Sequence, residues 1–253
     1  MNQQSWKQSL NKVPEITLYF WIIKVLCTTV GETGADYLTY DMHWGLFPTT
    51  VFTSVLLAAA LYFQFKAKKY VASIYWLAIV LISIVGTLIT DNLTDYLKVP
   101  LEITTAVFGI ALAAVFAIWY GMEKTLSIHT IYTVRREAFY WLAILLTFAV
   151  GTAAGDLFAE RLELGYRLSA IIFAILIAVV AVAYYGFKAN SVVTFWIAYI
   201  LTRPQGASIA DYLIQPKTNS GLGLGTVPVN GFFFIMILGI VVYLAITKKD
   251  ASK

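Results

Sequence analysis

Charge is what this chain has least of. Only 13% of its 253 residues are Asp, Glu, Lys or Arg, against 60% that are apolar, too little charge for an ordinary soluble domain of this length. A single cysteine, Cys27, excludes an intramolecular disulfide and any thiolate metal cluster. Two histidines exclude an imidazole-rich metal site. No Ser-His-Asp set, metalloprotease motif, Walker element or dinucleotide loop is present, so neither enzymatic activity nor an organic cofactor is expected. The formal charge of +4 could suit a polyanion. The basic residues, however, sit in short clusters between apolar runs, as in membrane proteins. The expected partner is therefore the lipid bilayer, not nucleic acid. No short apolar core with a small-residue cleavage site follows Lys7 and Lys12. The stretch after them is long and contains Lys24, Glu32 and Asp36, so the first helix is expected to stay in the mature protein.

What the chain does have is eight apolar segments, at roughly 14–38, 45–65, 70–93, 102–121, 137–159, 166–187, 190–213 and 226–246, each near the about 20 residues that cross a hydrocarbon core. The expected fold is all-α: one polytopic membrane domain of eight transmembrane helices. Lys7 and Lys12, Lys66, Lys68 and Lys69, Lys124, Arg135 and Arg136, Lys188, and Lys248, Lys249 and Lys253 fall on one side. Only Lys98, Arg161, Arg167 and Lys217 fall on the other. The positive-inside rule then puts both termini in the cytoplasm. The outer loops are relatively acidic, with Asp41, Asp95, Glu102, Glu160 and Glu163.

One pattern recurs four times. Trp is followed ten residues later by Gly, and Gly five residues later by Asp: Trp21, Gly31, Asp36; Trp76, Gly86, Asp91; Trp141, Gly151, Asp156; Trp196, Gly206, Asp211. The steps of 55, 65 and 55 residues read as a two-helix unit duplicated, then duplicated again. The units run about 14–65, 70–121, 137–187 and 190–246. The odd helices all run the same way, so the repeats are parallel and the four Asp residues share one depth near the outer boundary. The Trp residues are expected in the inner aromatic belt, and the glycines at close helix contacts.

Positions four apart share a helix face. That face holds Lys24, Thr28, Glu32 and Asp36 in the first helix, Ser83, Thr87 and Asp91 in the third, Phe148, Thr152 and Asp156 in the fifth, and Arg203, Ala207 and Asp211 in the seventh. Lipid does not tolerate such stripes, so they should face one another or a water-filled cavity. Glu32 and Arg203 are additions peculiar to the first and fourth units, and an ion pair between them would lower the cost of burying both. The alternative is that Lys24 neutralises Glu32. An Asp near a helix end can also be a hydrated structural anchor, and duplication copies anchors as well as sites.

Carboxylates and hydroxyls suit hard cations. Glu32, Asp36, Asp91, Asp156 and Asp211 are candidate ligands of a bound divalent metal, with Thr28, Ser83, Thr87 and Thr152 along the same path. The same carboxylates could carry protons. Tyr19, Tyr37 and Trp44 could line an organic-cation path instead. Weaker candidates are the outer-loop pair His43–Trp44, and His129 in an interfacial linker. The "TRPQG" stretch, Thr202 to Gly206, is expected to interrupt the seventh helix. "GLGLGTVPVNG" before the last helix reads as a loop, an irregular helix start or a re-entrant feature.

The segment "KVPEITLYFWIIKVLCTTVGETGADYL", Lys12 to Leu38, resembles the opening of a bacterial family of repeated multi-pass inner-membrane proteins, described as uncharacterised membrane or membrane-anchored proteins. The matching positions are Pro14, Glu15, Lys24, Thr28, Thr29, Gly31, Glu32 and Asp36, echoed at Gly86 and Asp91, Gly151 and Asp156, and Gly206 and Asp211. The resemblance implies a bacterial inner-membrane location and a link to export of metals or cationic compounds. The expected function is transport of a small cation, with a divalent metal among the candidates. Organic-cation efflux and a non-transporting membrane scaffold or stress-response protein are the alternatives, and the oligomeric state is left open.

Overall fold

The computed structural model describes residues 11–251, so Lys7 and Lys253 lie outside the described residues. Within them the chain forms eight long α-helices and no strand: α1 (Leu18–Asp36), α2 (Leu46–Lys66), α3 (Ala72–Asp91), α4 (Leu101–Glu123), α5 (Val134–Asp156), α6 (Gly165–Phe187), α7 (Ser191–Ile214) and α8 (Thr226–Thr247). Helix α1 starts later than its apolar run, because the Thr17 hydroxyl accepts from the Phe20 amide at 3.3 Å and caps the first turn. Before α8, the glycine-rich stretch is a loop. Gly223 and Gly225 adopt φ of +69° and +81° there, and a regular helix follows from Thr226.

The odd helices α1, α3, α5 and α7 form an inner ring in that cyclic order. The even helices lie outside it: α2 packs on α3, α4 on α5, α6 on α7, and α8 returns to α1. Each outer helix thus supports the next unit, and the last closes the circle. The motif glycines are the seams of this ring. A Cβ on Gly31 would collide with Ser83, one on Gly86 with Phe148, one on Gly151 with Arg203, and one on Gly206 with Thr28. Hydroxyls stitch the same seams: Thr29 donates to the Gly206 carbonyl at 3.3 Å and Thr90 to that of Ala149 at 3.0 Å.

Six helices, α2, α3, α4, α5, α6 and α8, are long and apolar enough to cross a membrane. Helices α1 and α7 are as long, but they carry the buried Lys24, Glu32 and Arg203 within the ring. The outward faces of α4, α6 and α8 expose residues such as Ile110, Val179 and Ile235, a composition that suits contact with lipid.

Two expectations from sequence need correcting. Of the four repeated Trp residues, Trp76, Trp141 and Trp196 are buried and not belt residues, and Trp21 is half-buried. Each follows another aromatic, and that quartet, Phe20, Tyr75, Tyr140 and Phe195, plugs the end of the ring opposite the Asp residues. The Tyr75 and Tyr140 hydroxyls are 2.5 Å apart, and the Phe20 and Phe195 rings 5.9 Å. Likewise α7 runs through Pro204 without a break. The pyrrolidine lies against Gly151 and Gly155 of α5, where the lack of a side chain leaves it room.

Candidate functional site

Three of the four motif Asp residues are followed at once by a single π-helical turn: Tyr37–Asp41, Asn92–Tyr96 and Leu157–Arg161. Each turn closes at an equivalent left-handed residue, His43, Lys98 or Glu163. In the fourth unit Pro216 restricts Gln215 to an extended conformation, and α7 ends without the turn. Turns of this kind widen a helix locally and commonly mark functional sites.

At this end the ring opens into a cavity of about 780 Å³. Eight carboxylates line it: Glu32, Asp36, Asp41, Asp91, Asp95, Asp156, Glu160 and Asp211. Among the described residues no Lys, Arg or His does. The four motif carboxylates have no hydrogen-bond or ion-pair partner among the described residues, although Asp211 is only 7% exposed. The outer acids are better served: Asp41 accepts from Thr226, Asp95 from Thr94 at 3.1 Å, and Glu160 from Tyr166 at 2.9 Å. From the sequence, Asp95 and Glu160 read as loop residues. The structure puts them on the cavity wall one turn beyond Asp91 and Asp156, a continuation of the i, i+4 stripe that was there to be read. Tyr40 and Gln215 hold the same position in the other two units and line the same wall.

The cavity floor joins all four units. Arg203 Nη2 lies 2.5 Å from Glu32 Oε2, donates to Thr152 Oγ1 at 2.7 Å and also reaches the Thr87 hydroxyl. Thr87 in turn donates to Glu32 at 3.3 Å. Arg203 is fully buried and Glu32 is 6% exposed. Of the two partners considered for Glu32, the structure supplies Arg203. Lys24 lies two turns below Glu32 and points elsewhere: its Nζ stands 4.1 Å from the Phe148 ring centre and 4.3 Å from that of Tyr199, a cation–π arrangement. Thr28 and Ser83 do not line the cavity. Thr28 donates to the Val25 and Thr202 carbonyls at 2.6 and 3.4 Å, and Ser83 fills the seam against Gly31.

The other candidates disperse. Tyr19 packs on Tyr243 and Trp44 on Phe52, and neither they nor Tyr37 lines the cavity. His43 lies in an exposed loop. His129, in a short 3₁₀ turn, sits 3.5 Å from Glu15. Glu32, Asp36, Asp91, Asp156 and Asp211 share one cavity but not one coordination sphere. Among the described residues no three His, Cys, Asp or Glu side chains are grouped as a metal site.

The plug end holds a buried ion pair. Lys12 Nζ lies 2.7 Å from Glu137 and 2.9 Å from the Phe65 carbonyl, and Gln64 donates to Glu137 at 3.1 Å. Asp250 accepts from the Tyr70 hydroxyl at 2.5 Å. Burial holds its carboxyl above the usual Asp range, partly offset by that hydrogen bond. The segment before α1 crosses this end. Backbone bonds tie it to the α2–α3 linker, the α4–α5 linker and the C-terminal tail: Tyr70 N to Asn11 O (3.1 Å), Lys12 N to Ile131 O (3.0 Å) and Glu15 N to Asp250 O (2.8 Å).

Four stretches of the chain, residues 19–70, 74–125, 139–190 and 194–250, match the family described as Repeat of Unknown Function (DUF347). The chain belongs to the DUF347 repeat family. Each DUF347 match spans one inner helix, with its motif Gly and Asp, and the outer helix that follows it. The seams, the plug and the ring of carboxylates are therefore one DUF347 unit used four times, with Glu32 and Arg203 as departures at the point where the units meet. No curated protein matches the chain, and no solved structure does.

Proposed function

We propose that this DUF347 protein transports small cations across a bilayer, through the ring formed by α1, α3, α5 and α7. One observation carries the reading: a cavity lined by eight carboxylates and no basic side chain, set inside an apolar exterior. Such a cleft focuses negative potential and concentrates cations at its mouth. Unpaired acids in a membrane protein are costly and mark ion or proton pathways. The aromatic quartet blocks the far end, so the arrangement supports alternating access over an open pore. With the quartet closed, a cation entering the cavity descends to the motif Asp tier and stops above Arg203. Its onward passage requires the plug to part.

The orientation follows from charge. Lys66, Arg135 and Arg136 at helix ends, and Lys68, Lys69, Lys124, Lys188, Lys248 and Lys249 in the linkers and tail, belong to the plug end, which supports a cytoplasmic plug and a cavity facing the other side of a bacterial inner membrane. Liposomes containing the purified chain should carry cations across the bilayer, and Asp36→Asn or Asp156→Asn should abolish most of the flux while the protein stays folded. Unchanged flux in both folded variants would remove the carboxylate ring from the pathway.

A further inference from the structure

The carboxylates are arranged in tiers. Glu32 is at the floor, Asp36 with the other motif Asp residues stands one turn higher, and Asp95 and Glu160 follow one turn beyond. A helical turn rises about 5.4 Å, close to the span of a three- or four-carbon spacer between two amines. The wall also carries the apolar side chains Val99, Leu101 and Ile214. The volume of about 780 Å³ lies in the range of roughly 300–1,000 Å³ of pockets that enclose organic ligands. A bare divalent ion asks for something else, about six oxygens gathered around one point. Inner-ring helices whose axes stand about 8–10 Å apart present their carboxylates as separate posts. Asp211 adds an independent observation: it is only 7% exposed, faces the cavity, and no group among the described residues donates to it.

We propose that the cavity takes an aliphatic amine bearing two or more ammonium groups. This rests on the cation-transport reading and names its substrate class. Successive ammonium groups engage successive tiers, and the methylenes between them lie along Val99, Leu101 and Ile214. The Tyr40 ring, also on the wall, offers a face to an ammonium near the mouth. Arg203, already bound to Glu32, sets the depth at which the lowest ammonium stops. Specificity comes from the number and spacing of charges, because a single ammonium can use only one tier.

The test uses the full chain in nanodiscs, with calorimetric titration of spermidine, putrescine, n-butylamine, manganese and magnesium. Affinity should rise by about tenfold or more with each added amine. Asp211→Asn and, separately, Asp91→Asn should weaken spermidine binding by about tenfold with helix content unchanged. Labelled spermidine should enter liposomes containing the protein and be competed by putrescine. Butylamine binding as tightly as spermidine would overturn the proposal. Manganese or magnesium flux that no amine competes would overturn it too, while leaving cation transport in place. No binding and no flux of any of these probes would remove both readings.

Discussion

The two ends of the inner ring handle charge in opposite ways. At the plug end Lys12 pairs with Glu137, which also accepts from Gln64, and one oxygen of Asp250 accepts from Tyr70. At the open end four carboxylates at equivalent positions have no partner among the described residues, although Asp211 is nearly as buried as the plug-end groups. The same chain that pairs its charges at one end leaves them unpaired at the other. A structural anchor would have been satisfied by a neighbouring hydroxyl or amide, as Glu160 and Asp41 are. The contrast supports the proposal that the motif Asp residues serve something that comes from outside the protein. The two ends meet at Glu32–Arg203, where the cavity stops.

Substitutions can break this contrast. The largest effect is expected at the boundary. Arg203→Gln strands the buried Glu32 carboxylate and should lower unfolding stability by about 3–5 kcal/mol. The double change Glu32→Gln with Arg203→Gln should recover most of that loss. A denaturation double-mutant cycle in detergent measures the coupling, and additive effects would mean that the two residues do not act as a pair. Next comes the comparison between the ends themselves. Glu137→Gln leaves Lys12 unmatched and should cost about 3 kcal/mol. Asp91→Asn removes one of eight like charges and should be neutral, or stabilising by up to about 1 kcal/mol. Equal losses at the two sites, read from unfolding midpoints, would erase the distinction. Gly206→Ala tests the seam that closes the ring, where the new methyl meets Thr28. A loss of about 1–3 kcal/mol is expected, and no loss would mean that α1 and α7 separate easily.

The smallest effect concerns pH. The folded-state pKa of Asp250 is raised by burial, so its contribution to stability is fully present below the unfolded value near 3.9 and is lost as pH rises through the folded value. Thermal melts should show a slight stabilisation on acidification across that interval, and Asp250→Asn should flatten it. An unchanged slope in the variant would show that other groups produce it.

Some of this was legible in the sequence, and the reasons differ by residue. The 55-residue rhythm of Trp, Gly and Asp revealed four units and the shared level of the acids, because register along a helix is a one-dimensional property. Neighbour choice is not. Nothing in the motif says that α2 packs on the next unit or that α8 returns to α1, so the seam from Gly206 to Thr28 could not be read. Thr28 and Ser83 lay on the polar stripe, but the ring turned them into its seams. The Trp residues looked interfacial because amphipathic rings favour that depth, yet the aromatic before each one builds a plug that buries three of them. Pro204 looked like a break because α7 by itself does not show the room that Gly151 and Gly155 provide. Asp95 and Glu160 were legible and overlooked: four residues beyond Asp91 and Asp156, they needed only the helix to continue for one more turn.

The most direct test of the account pairs two readings on one variant, Asp211→Asn in nanodiscs: the unfolding midpoint and the affinity for spermidine. The account predicts a midpoint equal to or above that of the native chain, together with an affinity weakened by about tenfold. A lowered midpoint with undiminished binding would contradict it, and would make the repeated Asp a structural anchor of the DUF347 unit.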